Sequence, residues 1–299
     1  MSVCGICGGT APVRVYDRAV DYVTGDGFEV WRCGVCGSGW TAPVPEDLGK
    51  YYPVRYRKYK PAVAKVLEVF YARRVRGWSR MFKAPGAVFE MGCGNGLMLH
   101  MFSGLGWRAV GSERTEEAAR VAREAYGVDV RVGEVAGVFD LVLLFQVLEH
   151  VAEPGPVLAG LVKMLAPGGK LVIGVPNFGS WQARFGGSGW FHLDVPRHLR
   201  HYTLQALAVV LAGQGLEIER VSYVSPEHDP FGWVQSALNR LDGKPNRLTR
   251  FLMGSDQADF WNVAQVAAAC VLGVAAVPLA VVSWAAGRGA VMEVVCRRK

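Results

Sequence analysis

Residues 87–96 read Ala-Val-Phe-Glu-Met-Gly-Cys-Gly-Asn-Gly, and this stretch decides the fold. The mostly apolar run to Met91 predicts a short buried strand, and 97–105 carry a helical pattern. Gly92, Gly94 and Gly96 alternate between them. Strand, glycine-rich turn and helix in that order bare the backbone at the strand's carboxyl end, where a nucleoside-bearing ligand can come close. A dinucleotide turn expects Gly-x-Gly-x-x-Gly, and Leu97 stands where its third glycine would be. Glu90, two positions before Gly92, is placed to accept from a ligand ammonium.

Downstream, strands and helices alternate. A second strand over 107–113 ends in Glu113, 17 residues past Gly96, where a carboxylate can take both ribose hydroxyls. A third strand over 128–132 brings Glu134 and Val135 near the place of an adenine. A fourth, 139–144, leads into Phe145-Gln146-Val147-Leu148-Glu149-His150, and a helix follows over about 153–165. Pro167-Gly168-Gly169 turns the chain into a fifth strand over 170–175. The sixth is read at 217–224, and 290–296 as a final strand lying antiparallel beside it. The pattern predicts an α/β fold: a doubly wound, seven-stranded Rossmann-like sheet with ligands at the strand carboxyl ends.

Upstream, Cys4-x-x-Cys7 and Cys33-x-x-Cys36 offer four thiolates across a short hairpin, with strands expected around Val13 and Val30. Such a set suits a closed, structural zinc site and predicts a small N-terminal zinc ribbon over 1–45. Seven cysteines used this way fit a reducing cytoplasm better than a disulfide framework. The start of the chain shows no basic n-region followed by an apolar h-region. A basic, aromatic linker with a helix from about residue 61 is expected over 46–86. The charge is uneven: residues 1–85 hold 14 Lys and Arg against 7 Asp and Glu, which is the whole formal +7. Eleven basic residues and one acid, Glu68, lie in 50–83 among tyrosines, Phe70 and Trp78. That segment could meet phosphates, or be a solvated helix face.

The motifs FEMGCGNG, FDLVLLFQVLEHV and LAPGGKLVIGVPN, in this order and spacing, resemble class I methyltransferases of the ubiquinone-biosynthesis type. With CGIC…CGVCG before them and WFHLDVPRHLRHYT after, the chain looks similar to bacterial methyltransferases of polysaccharide and sugar pathways that carry a zinc ribbon. The resemblance covers 87 to about 225 and implies an S-adenosylmethionine cofactor, with S-adenosylhomocysteine as product. Glu90, Gly92, Gly94 and Gly96 would surround its methionine part, Glu113 the ribose, and Glu134, Val135 and Gln146 the rest of the crevice. Two departures stand out: Glu90 and Glu113 occupy positions where aspartate is common, and Ser112 one where an apolar residue is usual.

Methyl transfer asks the protein to position an acceptor and to remove its proton. Residues 191–203 hold three of the six histidines in one loop after the fifth strand. His198 is ranked first as base, also on the PRHL resemblance, with His201 second and Tyr202 orienting the acceptor. Asp194 could fix a tautomer and Arg197 hold an anionic group. His150 is a further candidate, whereas His228 and His100 read as surface or helix residues. The expected reaction is O-methylation of a small-molecule, sugar, glycan or lipid-linked hydroxyl. Two other readings stay open: an RNA methyltransferase using the ribbon and 50–83, and a non-catalytic cofactor-binding scaffold.

The segment 226–289 reads as an apolar helical insertion, and 262–287 hold no charge. Length alone would let that helix span a bilayer. Pro278, the alanine content and the sheet strand expected after it (290–299 with the basic tail) point instead to a core or homodimer helix, or to contact with a membrane surface. The protein is then cytoplasmic, or peripheral to the inner membrane face.

Overall fold

The computed structural model describes residues 3–52 and 61–299, with side chains from residue 63 in the second segment. The N-terminal hairpin pairs β1 (Pro12–Val20) with β2 (Gly27–Cys33), and β3 (Gly39–Ala42) lies beside β2. The first helix, α1 (Pro61–Ser79), leads to β4 (Ala87–Met91), followed by α2 (Leu97–Gly104), β5 (Arg108–Glu113), α3 (Glu116–Tyr126), β6 (Asp129–Val132) and β7 (Phe139–Phe145). After α4 (Pro154–Lys163) come β8 (Leu165–Pro176), α5 (Trp181–Gly186), the short β9 (Arg200–His201), α6 (Leu204–Ala212) and β10 (Leu216–Ser222). Three helices follow, α7 (Asp229–Leu241), α8 (Arg247–Leu252) and α9 (Phe260–Ala285), before β11 (Val291–Arg298) closes the chain.

The large sheet runs β10-β11-β8-β7-β4-β5-β6, with β11 antiparallel between parallel neighbours. This is the seven-stranded, doubly wound α/β sheet the sequence predicts. Its faces are set by the two-residue period of the strands. Val142 and Leu144 of β7 point into the cluster built with Leu158 and Leu161 of α4 and Leu207 and Leu211 of α6. Leu141 and Leu143 point the other way, to Val75 and Trp78 of α1 and Phe102 of α2. Because β4 and β7 are neighbours while the chain winds outward from them in both directions, a crevice opens at their carboxyl ends.

The second sheet, β1-β2-β3-β9, joins the ribbon to the histidine loop: β9 comes from residues 200–201 and pairs antiparallel with β3. Its contact surface buries Trp40 and Ala206 with the cysteines on one side, and Phe28, Val30, Trp190 and Leu193 on the other. Of the basic segment 50–83, Arg55, Tyr56, Arg57, Lys58, Tyr59 and Lys60 lie outside the described residues. Within the described part, Tyr51 and Trp78 are buried, so these two rings build the core and are not displayed for a partner. Arg74 is internal too, held between Glu227 and Glu293.

Candidate active site and zinc ribbon

The turn after β4 takes the backbone shape only glycine adopts cheaply. Gly92 has φ 67° and Gly94 φ 59°. A Cβ on Gly92 would sit 2.7 Å from Val147 Cγ2, whereas one on Gly94 would meet nothing within 4 Å, so Gly94 faces the open crevice. The turn is tied to β5 by Gly92 N–H donating to Ser112 O (2.9 Å). Glu113, at the tip of β5, accepts from Gly94 N–H through Oε1 (2.6 Å) and from Arg114 N–H through Oε2 (3.3 Å). Burial raises its carboxyl above the usual range, against the pull of those two amides.

Glu90 is 2% exposed, and its Oε2 has no hydrogen-bond partner among the described residues. Burial, and then the nearby Glu113 charge, push its carboxyl well above the ordinary carboxylate range. An orphaned acid beside a second acid is costly unless a cation arrives. Gln146, in a left-handed conformation at φ 58°, likewise has Nε2 without a hydrogen-bond partner among the described residues. A cofactor that carries an ammonium, a sulfonium and two ribose hydroxyls matches this donor and acceptor set. Glu134 is exposed just past β6, and Val135 is half-buried against the core.

The histidine loop is more deeply buried than its sequence suggests. His198 is 2% exposed; its Nδ1 donates to the His192 carbonyl (2.9 Å), which makes Nε2 the basic nitrogen. Nε2 lies 3.7 Å from Asp194 Oδ2 and 3.9 Å from Glu149 Oε1. The half-buried His150 stands edge-on to it, with ring centroids 4.7 Å apart, its Nδ1 2.9 Å from the Arg197 carbonyl. Tyr52 Oη reaches the same nitrogen at 3.4 Å. Ligand atoms of Glu149, His150 and His198 all lie within 4.8 Å of one another, a spacing that suits a metal ion. Because Val147 packs on Gly92 and Glu149 and His150 follow it in the same turn, this cluster borders the glycine crevice.

Three expectations are corrected. His201 lies in β9, where its Nε2 meets Thr41 Oγ1 (3.0 Å) and burial, then Arg200, push it down to about 3, so it is a neutral strut between ribbon and core. Tyr202 is fully buried in the main core; its hydroxyl donates to Leu148 O (3.4 Å), and burial holds it protonated. It therefore orients no acceptor. Arg197 binds no substrate anion, being fully buried between Asp21 (2.8 Å) and Asp194 (2.7 Å) with its guanidinium 4.3 Å from the Tyr22 ring.

Two residues went unread in the sequence. Glu149 is buried beside His198, and the acid in the LEHV motif was its signal. His228, taken for a surface or helix residue, stands at the start of α7 with Nδ1 2.9 Å from Ser225 Oγ, its ring 6.1 Å from both Phe145 and His192. The Glu-His-Asp run at 227–229 just after the sixth strand could have marked it. His100 of α2, a helix residue as expected, packs on Tyr126 of α3.

In the ribbon, Cys4 and Cys36 Sγ are 3.8 Å apart, and Cys7 and Cys33 Sγ 3.6 Å. All four sulfurs fall within 4.8 Å of one another, as a tetrahedron with Zn–S bonds of about 2.3 Å requires. Ile6 N–H and Val35 N–H donate to Cys4 and Cys33 sulfurs (3.4 Å each), and Ser38 Oγ lies 3.3 and 3.1 Å from Cys4 and Cys36. Burial raises the Cys4 thiol, but the Ser38 hydroxyl and nearby amides more than offset it and bring it to about 6. These residues fit a closed structural zinc.

A methyltransferase domain model matches residues 57–221. A ubiquinone biosynthesis O-methyltransferase of Xanthomonas axonopodis pv. citri is 30% identical over 162 residues, 48% of this chain and 68% of the relative. Among solved structures, the magnesium protoporphyrin IX methyltransferase of Synechocystis, with bound S-adenosylhomocysteine, covers 55% of this chain and 80% of its own at 17% identity and a TM-score of 0.45. A SAM-dependent methyltransferase of Archaeoglobus fulgidus covers 78% and 94% at 16% identity and a TM-score of 0.48. A family match over more than half the chain, together with that relative, makes this protein a member of the methyltransferase-domain family and an S-adenosylmethionine-dependent methyltransferase.

Proposed function

We propose that the protein methylates a hydroxyl on a sugar, glycan or lipid-linked small molecule in the cytoplasm. The observation that carries this reading is the Glu149–His150–His198 cluster on the rim of the glycine crevice. Bound S-adenosylmethionine supplies an activated methyl on an excellent leaving group, so the protein's part is to hold the acceptor in line and take its proton. His150, the half-buried member, receives the hydroxyl proton on Nε2. His198 and Glu149 stand behind it, and the carboxylate stabilises the imidazolium that forms. A hydroxyl acceptor is also consistent with the relatives' designation as O-methyltransferases.

Four cysteines kept as metal ligands suit a reducing compartment, which supports the cytoplasmic placement. Screening sugar, glycan and lipid-linked alcohols for S-adenosylhomocysteine release tests the acceptor class. With an acceptor in hand, His150→Ala and His198→Ala each lower kcat by roughly 10²–10⁴-fold, while titration calorimetry shows cofactor affinity within twofold of the parent. An unchanged rate in both variants moves the base elsewhere.

A further inference from the structure

α9 is inverted relative to a helix that water covers. Its inward stripe is polar or small: Asn262, Gln265, Ala276, Ala280 and Ser283 are buried. Gln265 donates to Asp242 Oδ2 (2.6 Å), Asn262 to Gln257 O (2.6 Å), and Trp284 Nε1 to Asp229 Oδ2 (2.6 Å). Its outward face is apolar, with Trp261 64%, Val271 74%, Val274 79% and Val282 55% exposed. A helix on a water-soluble surface turns its apolar stripe to the core and its polar stripe out. Here, in a helix whose most apolar 18-residue window has a mean hydropathy of 2.4, the valines face out.

We propose that this outward face rests in the surface of an anionic lipid bilayer, with the helix axis parallel to the membrane plane. Charge argues for anionic lipid. The one acid within α5, α7 and α9 is Asp229, which is buried, and around them the exposed Arg184, Arg240 and Arg288 outnumber the exposed Asp259 that caps α9. Trp181 (41% exposed) and Phe185 (40%) extend the apolar surface onto α5, where Phe185 packs on Trp233 of α7. Aromatic and arginine side chains around an apolar face are suited to the headgroup layer.

The helix lies on the surface and does not cross it, because its polar stripe is bonded to the body of the domain and β11 begins six residues after its end. Val291 of β11 pairs with Pro176 at the carboxyl end of β8, so the insertion sits on the sheet edge that carries the glycine turn. The membrane face and the methyl-transfer crevice thus share one edge, which would bring an acceptor anchored in the lipid to the crevice. The membrane contact itself does not depend on which hydroxyl is methylated.

Vesicle flotation of the full chain tests this. The protein should float with vesicles of phosphatidylglycerol and phosphatidylcholine and bind pure phosphatidylcholine at least tenfold more weakly. The double variant Val271→Glu/Val274→Glu should lose flotation at least tenfold, with the parent's thermal melt and S-adenosylmethionine titration. Arg184→Glu/Arg288→Glu, which leaves the helix intact, should lose anionic vesicles in the same way. A parent that does not float overturns the proposal, as do variants that float like the parent. So does a parent dimer, seen by light scattering, that the valine variant dissociates without any vesicle binding. The cofactor titration is read in every sample, so failure here is distinct from failure of the methyltransferase assignment.

Discussion

Two carboxylates on adjacent strand tips define the chemistry of the crevice. Glu90 is buried with an orphaned oxygen, and Glu113 is folded back onto the Gly94 amide. A ribose bound at this tip would have to compete with the Gly94 amide for that second acid, so on this reading Glu113→Ala removes an acceptor and should weaken S-adenosylmethionine binding by roughly 10–100-fold in calorimetry. Glu134→Ala, at an exposed position, should cost no more than about threefold. Equal losses would contradict the ribose assignment. His201 makes a pH prediction of another kind. Its ordinary value is 6.5 and it is pushed down to about 3 in the fold, so between these the unfolded chain binds more protons than the folded one. The stability it confers is present above about pH 6.5 and drains away as pH falls toward 3. Urea denaturation of His201→Gln should show a shallower loss of stability from pH 6.5 to pH 4 than the parent; an identical slope would mean that His201 titrates normally.

At the scale of elements, the ribbon and the histidine loop are one structure, because β9 pairs with β3 within two residues of His198. Removing zinc with a strong chelator should therefore do more than melt the hairpin. The thermal midpoint should fall by at least about 5 °C, and turnover should fall with it, while cofactor affinity stays near its parent value. Turnover that survives full metal removal would uncouple the two. The sheet was legible in the sequence because its signals are mostly local: 87–91, 139–144 and 170–175 are apolar runs, the first closed by Gly92 and the last by Pro176, and 290–296 read as a final strand beside the sixth. The buried fate of His201, Tyr202 and Arg197 was not. Thr41 and Asp21, their partners, lie 160 and 176 positions earlier in the chain, and no periodicity within 191–203 encodes a pairing at that distance. The glycine turn was readable in the sequence, whereas of the Glu149–His150–His198 cluster the two histidines were seen and Glu149 was missed.

Over the whole molecule, the excess positive charge in residues 1–85 suggested a phosphate-binding segment. The structure takes Arg74 out of that set by burying it with Glu227 and Glu293, and it uses Trp78 and Tyr51 as core. The apolar helix was legible as a segment, but the direction each of its faces takes was not, since that depends on α7 lying beneath it. The shared sheet β1-β2-β3-β9 also bears on how the protein can be cut or recombined. A ribbon that borrows its last strand from the enzyme cannot be swapped as a cassette. Deleting residues 1–45 would leave Arg200 and His201 without their strand partner and open the His198 loop to water, so shortened versions should be judged by whether that loop survives.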